Sequence, residues 1–280
     1  MQDDPVLSEV PAEVGVAKPD PILVVDGVTR RYGGLVAVDV DHLEIQRGVI
    51  TSLIGPNGAG KTTFFNLLCG FDKADGGIWT FEGDKANGVK PHELARRGMV
   101  RTFQLTKTLG RMTVLDNMLL AGSAQSGEHL LKALVKPLWK AQEQANIERA
   151  NDLLARFKLD HLANEYAAGL SGGQRKLLEM SRALMAEPTL VMLDEPMAGV
   201  NPALTQSLLG HVTALRDEGM SVLFVEHDMD VIMTISDWVV CMAEGRVIAE
   251  GRPADIAGNP AVIEAYLGID HGGATKGVIK

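Results

Sequence analysis

Eight consecutive residues restrict this chain more than any other feature. Gly55, Pro56, Asn57, Gly58, Ala59, Gly60, Lys61 and Thr62 fit the spacing G-x-x-x-x-G-K-[ST]. That spacing works only between a strand and a helix, where a glycine-rich turn brings backbone N–H groups and a helix N-terminus up to an anion. Residues 49–54 suit the strand, and the stretch after Thr62 reads as a helix through Cys69 that ends at Gly70. The expected ligand is a chain of phosphates, with Lys61 reaching the outer ones and the Thr62 hydroxyl on a magnesium ion. A fold that carries such a loop is α/β.

The rest of the sequence supplies the alternation that this class needs. Residues 23–28 and 40–45 are β-branched runs that suit strands, with Gly33 and Gly34 turning between them; residues 78–81 form another, closed by Gly83. From about 112 to 157 the pattern is helical, with stripes at Leu130, Leu131, Leu134, Leu138, Leu153 and Leu154 and a kink or restart at Pro137. Ser171 is a good N-cap for a helix reaching about Ala186, ahead of Pro188. Leu190, Val191, Met192 and Leu193 are uninterrupted apolar residues, as a strand covered on both faces requires. A helix after Pro202, a strand over 222–225 and a closing strand pair over 239–242 and 247–249 follow. Residues 1–20, with Pro5, Pro11, Pro19 and scattered acids, read as a disordered arm, and the glycine-rich 269–280 as a flexible tail.

Charge and cysteine usage limit the partners. Lys plus Arg number 27 against 36 Asp plus Glu, a formal net charge of −9, which disfavours a nucleic-acid partner because phosphate neutralisation needs a positive face. Cys69 and Cys241 stand far apart in apolar settings and read as buried thiols of a reducing compartment. No run of about 20 predominantly apolar residues is present, and the N-terminus has no apolar leader. A cytoplasmic chain with no membrane span is expected.

Two further constellations carry chemistry. The run from Leu190 ends in Asp194 and Glu195, so a buried strand delivers two carboxylates to its carboxyl end, where α/β sheets bind ligands. Alone, such a pair is better explained by solvation. Downstream of a phosphate loop, Asp194 is a candidate for completing a Mg²⁺ shell and Glu195 for orienting or deprotonating a water. The third constellation is Leu170, Ser171, Gly172, Gly173 and Gln174. Read structurally it is a capped helix start, yet two glycines in a first turn lower helix propensity. That cost is understandable where bare backbone must meet an anion.

Phosphate loop, Leu-Ser-Gly-Gly-Gln and Leu-Asp-Glu in this order resemble an ATP-binding cassette ATPase of a membrane transporter, over about residues 22–268. The resemblance implies a P-loop core with a mixed sheet, an antiparallel β subdomain and a helical subdomain inserted at about 105–187. It implies ATP hydrolysis in a head-to-tail dimer, homo- or heteromeric. One subunit would hold ATP through Tyr32 on the adenine, the loop from Gly55 to Lys61 with Thr62 and Thr63, and Mg²⁺ at Thr62, Gln104 and Asp194. Ser171, Gly172, Gly173 and Gln174 of the facing subunit would close the site. Gln104 matches the family's Q-loop glutamine, Glu195 the residue that serves the water, and His227 the switch histidine at the γ-phosphate.

One position departs from the family pattern: Asn201 stands where its D-loop commonly carries an aspartate, as in versions similar to importers of branched-chain amino acids. The Arg101-Thr102-Phe103-Gln104 run, the segments at 112–117 and 226–231, and the ending Val262-Ile263-Glu264-Ala265-Tyr266-Leu267-Gly268 resemble the same branch. The partners so implied are a second ATPase subunit, integral membrane permeases and, indirectly, an extracytoplasmic binding protein. The chain would then lie on the cytoplasmic face of the membrane. Importers of urea or short amides, exporters, and soluble cassettes of translation or DNA repair remain alternatives.

Overall fold

The computed structural model describes residues 6–102, 108–122 and 136–267. Gln104 and the tail over 269–280 lie outside the described residues. Two sheets organise the chain. The first is antiparallel, in the order β2 (Leu35–Gln46), β1 (Pro21–Tyr32), β4 (Gly76–Phe81), β5 (Asp84–Lys85). Gly33, at φ 60°, supplies the positive first position of the two-residue turn between Tyr32 and Leu35.

The second sheet runs β10 (Arg246–Gly251), β9 (Trp238–Ala243), β3 (Ile50–Ile54), β8 (Ser221–Val225), β7 (Leu190–Asp194), β6 (Met99–Arg101). All its neighbours are parallel except β9 and β10, which form a hairpin turned by Glu244 and Gly245, both at positive φ. The expected strands are all present. The short strand β6 and a helix α2 (Pro91–Arg96) fall where the sequence shows no periodic run, because three and six residues are too few to display one.

Strand alternation divides the core. Leu190, Met192, Leu223 and Val225 face one way, into a cluster with the antiparallel sheet and α1 (Lys61–Leu68). Val191, Leu193, Val222 and Phe224 face the other way, into a cluster that includes residues of α3 (Val114–Leu119), α4 (Lys136–Arg156), α5 (Gly172–Leu184) and α6 (Pro202–Asp217). Pro137 is the second residue of α4, a position where a missing N–H costs nothing. Short helices α7 (Met229–Ile235), α8 (Pro253–Ala257) and α9 (Pro260–Leu267) cover the β9–β10 side. Among the described residues, no helix is long and apolar enough to cross a membrane.

The expectation of a disordered arm over 1–20 does not hold for its described part. Leu7 and Val10 are buried in the core. Lys18 and Glu250 form an ion pair at 2.8 Å with both side chains fully buried, and the other carboxylate oxygen of Glu250 accepts the Gly15 N–H at 2.6 Å. Trp238 Nε1 also donates to Glu250, and the Lys18 ammonium lies 4.4 Å from the Trp238 ring. Composition misjudges such a segment because a few well-placed contacts, rather than average hydrophobicity, hold it.

Candidate functional site

Parallel pairing brings the loops that follow β3, β6, β7 and β8 to one edge of the sheet. Val225 lies abreast of both Leu53 and Asp194, and the Glu195 N–H donates to the Val225 carbonyl at 2.9 Å. Gly55, Arg101, Glu195 and Glu226 therefore emerge side by side, at the carboxyl ends where open α/β sheets bind ligands.

The phosphate loop is shaped by glycines that tolerate no substitute. Gly55 and Gly60 have φ 144° and 97°; a Cβ on them would lie 2.1 Å from the Met242 carbonyl oxygen and 2.2 Å from that of Ala37. Gly60 caps α1 without a side-chain hydrogen bond. Lys61 folds back, its ammonium donating to the Gly55 carbonyl at 2.5 Å and the Pro56 carbonyl at 3.0 Å. Burial lowers its pKa, while the carboxylates of Glu195 and Asp194 and the Cys241 thiol pull it upward. Behind the loop, Gly245 N–H donates to the Ala59 carbonyl at 3.0 Å, and Gly55 N–H to the Tyr266 hydroxyl at 2.9 Å.

Asp194 and Glu195 differ in environment. Asp194 is 4% exposed and accepts from Arg101 Nη2 at 2.6 Å. Arg101 also donates to Asn66 Oδ1 of α1 at 2.6 Å and stands 5.5 Å from the Phe65 ring. Glu195 is half-buried, at φ 47°, and its carbonyl accepts from Lys176 of α5 at 3.3 Å. The Thr62 hydroxyl and the Asp194 carboxylate are oxygen donors of the kind Mg²⁺ takes, so the donor set fits that ion.

The switch region holds a residue without an assigned role in the sequence reading. Glu226 is buried; its Oε1 accepts the Met197 N–H at 3.1 Å and its Oε2 the His227 N–H at 3.2 Å. It thereby ties the loop after β7 to the end of β8. Burial raises its pKa, opposed by those two N–H groups and the His227 ring and reinforced by Glu195. His227 itself is 64% exposed, its Nδ1 3.7 Å from Glu226 Oε2. The available signal was a carboxylate continuing the apolar run of a buried strand; Arg101, at the end of the three-residue β6, offers no such run.

The remaining candidates make local contacts of their own. Ser171 and Gln174 form a reciprocal capping box, with Oγ accepting the Gln174 N–H at 3.2 Å and Oε1 the Ser171 N–H at 2.8 Å. Gly172 faces open space, whereas a Cβ on Gly173 would lie 2.0 Å from the Leu204 side chain. Tyr32, half-exposed at the end of β1, donates to Asp72 and has the Arg30 guanidinium 4.7 Å from its ring. Asn201 caps α6, accepting the Leu204 N–H at 3.0 Å. Asparagine and aspartate cap about equally well, so this role explains how either residue serves there. Cys69 and Cys241 are buried, and burial pushes their thiols to about 12 and about 11.

Residues 38–198 match the family model "ABC transporter", and residues 246–272 match "Branched-chain amino acid ATP-binding cassette transporter". A probable branched-chain amino acid transport ATP-binding protein of Archaeoglobus fulgidus is 44% identical, the match covering 88% of this chain and 95% of that protein. A high-affinity branched-chain amino acid transport ATP-binding protein of Pseudomonas aeruginosa is 42% identical, covering 89% and 98%. Among solved structures, the ADP conformation of an ATP-binding cassette from an ABC transporter is 37% identical, with a TM-score of 0.76 over 89% of this chain and 99% of that one.

Proposed function

The chain belongs to the ATP-binding cassette transporter family, and on that premise we propose that it is the ATP-hydrolysing subunit of a membrane importer of branched-chain or other amino acids. The observation that carries this reading is the placement of Lys61, whose ammonium bridges the Gly55 and Pro56 carbonyls while the carboxylates of Asp194 and Glu195 bear on its charge. An arriving triphosphate offers Lys61 better acceptors than two neutral carbonyls.

Phosphoryl transfer needs positioning and charge compensation more than covalent chemistry. The loop from Gly55 to Thr63 presents N–H groups at the start of α1, and Lys61 supplies the fixed charge at the outer phosphates. Tyr32 receives the adenine. Glu195 orients and deprotonates the attacking water, and His227, exposed beside Glu226, meets the charge that develops on the transferred group. Thr62, Asp194 and Gln104 would hold Mg²⁺, which neutralises charge on the β- and γ-phosphates when bound.

Ser171, Gly172, Gly173 and Gln174 complete the site of a second ATPase subunit. Supporting this, Ser171 and Gly172 are exposed at the start of a helix of 13 residues. ATP then holds two subunits together and its hydrolysis parts them. Integral permeases dock in the groove beside α3 and α4 on the cytoplasmic face, and an extracytoplasmic binding protein selects cargo. The test is direct titration of MgATP: the chain binds, Lys61→Ala weakens binding by at least about tenfold, and crosslinks from the groove reach a permease loop. Equal affinity in Lys61→Ala overturns the reading.

A further inference from the structure

We propose that Tyr266 is a positioning residue of the phosphate loop, and that it couples nucleotide occupancy to the C-terminal helix α9. This rests on the reading that the loop binds ATP. Gly55 is the first residue past β3, where its N–H has left the sheet ladder. The Tyr266 hydroxyl, 211 residues later, accepts that N–H at 2.9 Å. A backbone donor in such a place is costly to leave without a partner, so the hydroxyl fixes where the loop begins.

Gly55 is held on three sides. Its Cα faces the Met242 carbonyl too closely for any Cβ, its carbonyl accepts from Lys61 at 2.5 Å, and its N–H goes to Tyr266. A phosphate that draws Lys61 away releases one of these restraints and leaves Tyr266 to carry the position. The tyrosine can do so because its ring is anchored. It packs against the buried cluster that includes Ile54, Cys241 and Ile256, and α9 is fixed at its start by Asn259, whose side-chain oxygen accepts the Ala261 N–H at 2.9 Å. Burial and the neighbouring Cys241 raise the Tyr266 pKa above its ordinary 10.0, against the pull of the Gly55 N–H, so the hydroxyl stays neutral at physiological pH.

Coupling between two sites is reciprocal. If Tyr266 holds the loop in its binding shape, nucleotide must in turn steady α9. The full chain, titrated with MgADP and followed by hydrogen exchange over residues 260–267, tests this. In the unmodified chain, exchange over α9 slows on binding. In Tyr266→Phe, which removes only the hydroxyl, Kd for MgADP rises about three- to tenfold, the scale of one hydrogen bond, and the added protection disappears. Ile263→Gly, at an exposed position of α9, loosens the same helix without touching the hydroxyl or its packing, and leaves Kd within twofold of the unmodified chain (~0.4 kcal/mol). Unchanged Kd and protection in Tyr266→Phe overturn the proposal, as does an equal loss in both variants, which marks a merely structural role. Failure of the unmodified chain to bind MgADP overturns the underlying ATP reading as well.

Discussion

The guanidinium of Arg101 lies 2.6 Å from the Asp194 carboxylate, with the two side chains 7% and 4% exposed. A buried positive charge thus already orients the carboxylate assigned to the metal. Removing one member of such a pair leaves the other uncompensated at a cost of about 3–5 kcal/mol. Arg101→Gln is therefore expected to lower unfolding free energy by about that amount in urea, and adding Asp194→Asn to recover part of it. A loss below about 1 kcal/mol would show that solvent or another group balances Asp194.

Glu226 gives the site a pH signature. Burial raises its carboxyl above the ordinary 4.5, so between that value and the raised one the folded chain holds more protons than the unfolded chain. The contribution of Glu226 to stability is thus most favourable at acid pH and falls as pH climbs through the window. Urea midpoints measured from pH 4.5 upward should show this decline, and Glu226→Gln should flatten it. An unchanged slope in the variant assigns the decline to other groups.

The loop glycines and the capping-box glycine are expected to behave oppositely. Gly60→Ala combines positive φ with a Cβ 2.2 Å from the Ala37 carbonyl oxygen; the backbone conformation alone costs about 1–3 kcal/mol. Gly172→Ala meets nothing within 4 Å, so thermal melting should match the unmodified chain or exceed it slightly. ATPase should nonetheless fall by at least about tenfold, or 1.4 kcal/mol in barrier, if this backbone closes over the ligand of a second subunit. Full ATPase in Gly172→Ala would remove that contact from the mechanism.

The phosphate loop and the two carboxylates after β7 were legible because each is a local pattern that leaves a strand in a stated direction. Arg101, Glu226 and Tyr266 were visible only as letters within longer runs. Their roles arise from contacts across 93, 29 and 211 positions, which no short window of sequence can display. The N-terminal segment was misread for the same reason: its proline and acid content says nothing of Lys18 meeting Glu250 across 232 positions.

That contact predicts the behaviour of the segment. Lys18→Met leaves Glu250 buried with Trp238 and Gly15 as neutral partners, at a cost of about 3–5 kcal/mol. Limited proteolysis should then cut within residues 6–20 at protease levels that spare the unmodified chain. Equal resistance would mean that Leu7 and Val10 hold the segment without the ion pair.

The central claim, that ATP is hydrolysed beside β7 by a water that Glu195 serves, is tested most directly by steady-state MgATP turnover of the purified chain and of Glu195→Gln, with nucleotide binding measured on the same samples. Turnover in the variant is expected to fall by about 10²–10⁴-fold with affinity retained. Near-normal turnover in the variant, or no turnover by the unmodified chain with its partners supplied, contradicts it.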